Sequence, residues 1–238
     1  MAEADGSARG AYDEWHARLQ VDESVSAPWH EEVKPLLGRL QGLRVLEIGC
    51  GRGGFAAWLA AQPDRPAELV AADFSPVAVR MAEEFGLARG TTGVTYRVED
   101  LMGLTFPDAS FDAAISFETI EHVPDSRRAL RELARVLKPG GTLFLTCPNY
   151  LNLTGLHRIY RVASGRGFSE EGQPINHFLV FPRVLRWVQR AGFDVEQTRG
   201  VGHYVPFPRR PPIRLGFLDR LRPLRLLAHH SIVIARRR

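Results

Sequence analysis

A chain of 238 residues, 45% hydrophobic and 24% charged, has the make-up of a globular protein and the length for one large α/β core. Two cysteines, Cys50 and Cys147, exclude a disulfide framework; no basic region followed by an apolar run marks a leader, and no apolar stretch nears the roughly 20 residues of a spanning helix, so a reducing, cytoplasmic setting is expected. The net charge of +4 is modest, but Arg209, Arg210, Arg214, Arg220, Arg222, Arg225 and Arg236 to Arg238 crowd the end, a pattern that suits a solvated surface or contact with phosphates or anionic lipid.

In chain order, Ala11 to Leu40 carries two helical patterns holding Trp15, His16, Trp29 and His30. From Leu43 to Pro148 short apolar runs alternate with helical patterns, the mark of stacked βαβ units and a mostly parallel sheet. The predicted strands are Arg44 to Ile48, Leu69 to Asp73, Val94 to Val98, Phe111 to Phe117 and Thr142 to Thr146, rich in Val, Ile, Leu or Phe and read as buried on both faces. Helices are predicted over Phe55 to Ala61, over Pro76 to Leu87 with Ser75 as cap, and over Ser126 to Leu137, ending at Lys138-Pro139-Gly140-Gly141. Tyr150 to Ile175 reads as polar and Gly-containing, Pro182 to Ala191 as a helix, and Phe193 to Thr198 pairs with Ser231 to Ala235 as a closing hairpin. This gives an N-terminal helical cap over residues 1–40 and one domain over 41–238 with an insert at 205–228. The insert's Leu215, Phe217, Leu218, Leu221, Leu224, Leu226 and Leu227, interleaved with Arg, give 215–227 an amphipathic pattern suited to a membrane interface, a lid or an oligomer contact, interrupted by Pro223.

The segment Glu47-Ile48-Gly49-Cys50-Gly51-Arg52-Gly53-Gly54 runs from a strand into a helix, so its glycines let the backbone turn tightly and approach a ligand. Gly49, Gly51 and Gly54 also satisfy G-x-G-x-x-G, which alone leaves a dinucleotide open. Asp73 ends the second strand about 20 residues beyond the last glycine, where a carboxylate can take both ribose hydroxyls.

Glu47 ahead of three alternate glycines resembles the first motif of the class I S-adenosylmethionine-dependent methyltransferases, in which the acidic residue and the glycines hold the donor's amino-acid part. Glu99-Asp100-Leu101 ends the third strand, where the family places an acidic residue beside the adenine amino group, and Lys138-Pro139-Gly140-Gly141-Thr142 is also typical of the family. The resemblance spans about Leu43 to Thr146. It implies a Rossmann-like α/β fold, a mostly parallel seven-stranded sheet with an antiparallel last strand and helices on both faces. It places S-adenosylmethionine against Glu47, Gly49, Cys50, Gly51, Gly53, Asp73, Phe74, Asp100, Leu101 and Phe117.

After the fourth strand the chain reads Phe117-Glu118-Thr119-Ile120-Glu121-His122-Val123-Pro124-Asp125. A helical turn here would set Glu118, Glu121 and His122 on one face, where two carboxylates need a proton, an arginine or a metal between them. Glu-x-x-Glu-His with a histidine downstream is similar to the ubiquinone-biosynthesis O-methyltransferases and the small-RNA 2′-O-methyltransferases. The former fit better through Glu121 to Asp125, Ile175-Asn176-His177-Phe178 and Gly202-His203-Tyr204-Val205-Pro206. The resemblance implies a divalent metal (Mg, Mn or Zn) on Glu118, Glu121, His122 and His177, with Glu121, His122 and His177 serving catalysis. The expected reaction is methylation of a small-molecule hydroxyl, catechol-like or a vicinal diol, with no DNA partner; His122 or His177 takes the proton if no metal binds, and His203 is a weaker candidate base. An NAD-dependent reductase lacks its Tyr-x-x-x-Lys; an RNA 2′-O-methyltransferase, a metal-independent C- or N-methyltransferase and a non-enzymatic binding protein are the remaining alternatives.

Overall fold

The computed structural model describes residues 2–18, 25–38, 40–165, 173–207 and 210–238. Nine strands and seven α-helices are defined among them. In order they are α1 (Ala2–Arg18), α2 (Pro28–Val33), β1 (Arg44–Ile48), α3 (Gly54–Ala60), β2 (Glu68–Asp73), α4 (Pro76–Ala88), β3 (Val94–Val98), β4 (Phe111–Phe117), α5 (Ser126–Val136), β5 (Leu137–Pro148), α6 (Leu153–Ala163), α7 (Phe181–Arg190), β6 (Phe193–Val201), β7 (Tyr204–Phe207), β8 (Arg210–Arg214) and β9 (His230–Arg237). The main sheet has seven strands in the order β3-β2-β1-β4-β5-β9-β6, parallel except that β9 runs antiparallel to both neighbours. The strand order reverses between β1 and β4, and open α/β sheets bind ligands beyond the carboxyl ends of the strands at that point.

Alternation along β1 explains the two-layer core. Val45 faces Phe55, Leu59 and Ala82 beside α3 and α4, whereas Leu46 faces Leu130, Leu133, Val184 and Val188 beside α5 and α7. The apolar stripes of those helices cover both sheet faces. Ser75 Oγ accepts from Ala78 N at 3.1 Å to cap α4, with Pro76 in its first turn. Asp125 Oδ1 accepts from Arg127 N and Arg128 N at 2.9 and 3.2 Å to cap α5.

Two expectations change, and two stretches left unassigned take shape. β3 is an edge strand with Val98 exposed rather than buried on both faces, because no further strand follows it. β5 begins at Leu137, since Lys138 to Gly141 bulges out between the Phe111↔Leu137 and Ala113↔Thr142 pairs, with Gly140 at φ 74°. Residues Leu153–Ala163, within the stretch read as polar and Gly-containing, form α6, capped by Asn152 Oδ1 on Gly155 N at 2.7 Å. The insert folds into the β7/β8 hairpin and two short 3-10 turns, Gly216–Arg220 and Arg222–Leu227. No described helix is long and apolar enough to cross a membrane.

Candidate active site

The turn from β1 to α3 is built on three glycines with positive φ, 80° at Gly49, 52° at Gly51 and 80° at Gly53. Gly49 N and Cys50 N donate to Ala72 O at 2.8 and 3.0 Å, which docks the turn on β2. A Cβ on Gly49 would collide with the Thr119 side chain, and one on Gly53 would stand 2.7 Å from Ala82 Cβ. Gly51 differs. Its nearest neighbour would be His16 Cε1 at 4.0 Å, and it lines a cavity, so a Cβ there would occupy ligand space. Asp73, at the end of β2, accepts from Gly51 N at 2.9 Å and from Ser75 N at 3.0 Å, which fixes its carboxylate at the cavity wall.

That cavity, about 220 Å³, lies at the carboxyl edge of β1, β2 and β4. Of the residues expected to meet the donor, Gly49, Gly51, Asp73, Phe74, Asp100 and Leu101 line it, together with Glu118 and His122. Asp100 Oδ1 accepts from Met102 N at 2.7 Å, and Glu99, also in the lining, accepts from Thr105 N and Oγ1 at 2.9 and 2.6 Å. Cys50 and Gly53 belong to the turn but not to the lining. Phe117 packs edge-on against Trp29 and Phe55, at 5.4 and 4.9 Å between ring centroids, rather than into the cavity. Glu47 is buried on β1 with Oε2 unpartnered among the described residues; burial, reinforced by Asp73, pushes its carboxyl up to about 8. An orphaned buried carboxyl oxygen and an open glycine cradle fit the ammonium-bearing end of S-adenosylmethionine.

The N-terminal helical segment, read from the sequence as a cap, supplies one wall. Tyr12, Trp15 and His16 of α1 line the cavity, and Tyr12 Oη donates to His122 O at 3.2 Å or Ile175 O at 3.3 Å. Burial is the main reason the Tyr12 hydroxyl is pushed up to about 12, and burial likewise lowers the His16 imidazole. Arg9 stacks over Phe74 at 4.5 Å, and Ser75 Oγ donates to Asp13, so α1 is fastened across the donor edge. Trp15 and His16 stood out in the sequence; Tyr12, one turn earlier, carried only the weak signal of an aromatic on the same helical face.

The Glu-x-x-Glu-His segment is a turn, not a helical face. Glu118 has φ 47°, left-handed for a non-glycine residue, and its N–H reaches Thr146 O and Oγ1, each at 3.1 Å. This sends its Oε2 to His230 Nδ1 at 3.0 Å, leaving Oε1 buried without a partner among the described residues. Burial alone would raise the Glu118 carboxyl; the charge and hydrogen bond of His230, with Thr146 and His229, hold it below its usual value. Glu121 is buried, its Oε1 3.5 Å from His122 Nε2, and His122 Nδ1 donates to Ile175 O at 2.8 Å. His177 does not join them: its Nε2 donates to Val123 O at 2.8 Å while its N–H holds Glu121 O at 2.9 Å. The four residues expected to share a metal therefore do not converge, and among the described residues no group of three or more His, Cys, Asp or Glu is arranged to hold one. His203 stands apart, buried in the insert between Asp219 Oδ1 at 2.7 Å and Leu224 O at 3.0 Å.

With this geometry in place, comparison with known proteins is direct. A methyltransferase-domain family matches residues 46–145. The chain is 40% identical over 178 residues to a ubiquinone biosynthesis O-methyltransferase of Xanthomonas oryzae pv. oryzae, covering 72% of this chain and 70% of that one. It is 34% identical over 197 residues to the protein of that name from Paracidovorax citrulli, covering 79% and 81%. Its fold matches the crystal structure of an S-adenosylmethionine-dependent methyltransferase from Mesorhizobium loti with a TM-score of 0.63, 22% identity and coverage of 89% and 99%. The glycine turn, the acidic residues at successive strand ends and these relatives agree: the chain belongs to the class I S-adenosylmethionine-dependent methyltransferases, of the ubiquinone biosynthesis O-methyltransferase type.

Proposed function

We propose that the chain methylates an oxygen of a small-molecule hydroxyl compound, catechol-like or a vicinal diol. The observation that carries this reading is one cavity holding both the donor turn and the Glu118 to His122 turn, in a chain whose relatives are named O-methyltransferases. When bound, S-adenosylmethionine supplies an electrophilic methyl group on a sulfonium. In this reading Gly49, Gly51 and Glu47 would hold its amino-acid part, Asp73 its ribose, and Phe74, Asp100 and Leu101 its base. Tyr12, Trp15 and His16 close the cavity from above, and excluding water strengthens each polar contact inside.

His122 suits the role of proton acceptor for the reacting hydroxyl. Its Nδ1 is held by the Ile175 carbonyl and the Glu121 carboxylate lies beside Nε2, so an imidazolium formed there has a counter-charge. A divalent metal on Glu118, Glu121, His122 and His177 does not suit the arrangement described, because His230 and the Val123 carbonyl engage two of the four.

The exposed Phe217, Leu221, Leu226 and Leu227 are interleaved with Arg220 and Arg225, and this stretch, 215–227, is proposed to touch an anionic lipid surface from which a lipophilic acceptor is taken. Incubation with methyl-labelled S-adenosylmethionine and a panel of catechols, amines and carbon nucleophiles tests the reaction. Label in aryl methyl ethers is the expected result, and label in amines or carbon nucleophiles alone contradicts it.

A further inference from the structure

The methyl donor is a zwitterion at its amino-acid end. With Glu47 taking the ammonium, the carboxylate must also leave water, and a buried anion needs hydrogen-bond donors. The glycine turn has few to give. Gly49 N and Cys50 N are spent on Ala72 O, Gly51 N on Asp73 and Gly53 N on Cys50 O. Among the described residues that line the cavity there is neither Lys nor Arg, while Asp73, Glu99, Asp100 and Glu118 are all acidic. Tyr12 Oη and Thr119 Oγ1 donate to backbone carbonyls, and His122 Nδ1 holds Ile175 O.

The open group beside the turn is His16. It lies in the last turn of α1, 7% exposed, and its Nδ1 is buried with no partner among the described residues. Buried polar atoms are nearly always paired, so an unpaired one on a cavity-lining ring points to a ligand. The ring lines the cavity next to the turn: Cε1, bonded to Nδ1, would stand 4.0 Å from a Cβ on Gly51. Trp15 packs edge-on against it at 4.8 Å between centroids, and Arg52, inside the turn, donates from Nη2 to His16 O at 3.0 Å. Carbonyls in the last turn of a helix lack an intrahelical partner, so Arg52 ties the end of α1 to the turn. Burial lowers the His16 imidazole, which keeps the ring neutral at neutral pH and offers an N–H without setting a second cation beside the sulfonium.

We propose that His16 is a donor-binding residue whose Nδ1–H hydrogen-bonds the carboxylate of S-adenosylmethionine, and that Arg52 is a positioning residue that holds the end of α1, and with it His16, beside Gly51. A carboxylate only accepts, so Nδ1 carries the proton in the bound state. His16 then selects donors that keep the carboxylate, whichever acceptor is methylated.

The test is calorimetric titration of the full chain with S-adenosylhomocysteine and with its decarboxylated analogue, which keeps the adenosine, the sulfur and the amine. The wild type is expected to bind S-adenosylhomocysteine at least about tenfold tighter, because a site built to hydrogen-bond a group rejects the analogue that lacks it. His16→Ala is expected to bring the two affinities within about threefold of each other, while the decarboxylated analogue binds within about twofold of its wild-type affinity. His16→Asn, which keeps an N–H donor near the Nδ1 position, is expected to restore most of the preference, and Arg52→Gln to reduce it by a smaller factor than His16→Ala. Glu47→Gln is expected to weaken both ligands alike, since both carry the ammonium. A His16→Ala protein that keeps the preference, at full affinity or with both ligands equally weakened, overturns the proposal, as does a wild type that binds both ligands equally. Loss in His16→Ala without recovery in His16→Asn replaces the hydrogen bond with packing and overturns it too. An Arg52→Gln protein that loses a preference His16→Ala retains gives the carboxylate to Arg52, and one that keeps the full preference removes the positioning role.

Discussion

Replacing Glu47 with Gln should make the protein more stable and less able to hold its donor. The carboxyl is buried on β1 with Oε2 unpartnered, and burial lifts its pKa from 4.5 to about 8. The sign follows from proton counting: between those values the folded chain holds a proton that the unfolded chain has lost, so stability falls as pH rises through that window and levels off above about 8. At about 1.4 kcal/mol per pH unit the loss is at most roughly 5 kcal/mol. Glu47→Gln stays neutral in both states, so in urea denaturation followed by tryptophan fluorescence it should match the wild type within about 1 kcal/mol at pH 5 and exceed it by several at pH 8. The donor's ammonium group loses a charge-assisted partner worth about 1.5–3 kcal/mol, so S-adenosylhomocysteine should bind roughly ten- to a hundredfold more weakly. A variant whose stability declines with pH in parallel with the wild type, or which binds S-adenosylhomocysteine unchanged, refutes the assignment of Glu47.

Three further outcomes follow from the geometry. Gly51→Ala puts a Cβ into the cavity from a residue at φ 52°; calorimetry should detect at least about tenfold weaker donor binding, with a stability loss of about 1–3 kcal/mol from the left-handed backbone. Tyr12→Phe removes the hydroxyl that reaches the His122 and Ile175 carbonyls, so S-adenosylhomocysteine should dissociate severalfold faster in stopped-flow fluorescence, in line with a hydrogen bond of about 1 kcal/mol; an unchanged rate would mean that α1 does not hold the donor. Treatment with a chelator should leave the turnover of a catechol acceptor within about twofold, because the proton acceptor proposed here is His122 with Glu121, and a large loss restored by added Mn or Mg would reinstate the metal.

The glycine turn and Asp73, which line the cavity, could be read from the chain because local rules govern them. Strands β1, β2 and β4 are largely apolar runs closed by glycine or acidic residues, and Gly49, Gly51 and Asp73 lie at or just beyond strand ends, where backbone geometry dictates what faces the cavity. The Glu118 constellation could not be read the same way. Its i, i+3, i+4 spacing brings side chains together only on a helix, and a single left-handed residue sends Glu118 instead to His230, 112 positions away. Helix α6 escaped because tertiary context leaves its apolar residues outward, with Leu156 62% and Tyr160 60% exposed, while Gly155 weakens the helical pattern. Phe117 alternates correctly along β4, but alternation does not say which side chain on that face reaches the ligand and which meets Trp29.

The most direct test of the central claim is isothermal titration of the purified chain with S-adenosylhomocysteine, beside a matched titration with NAD. The account predicts one S-adenosylhomocysteine per chain, weakened by Gly51→Ala and by Glu47→Gln, and no heat from NAD. Saturable NAD binding without S-adenosylhomocysteine binding would return the glycine turn to a dinucleotide and contradict the methyltransferase assignment.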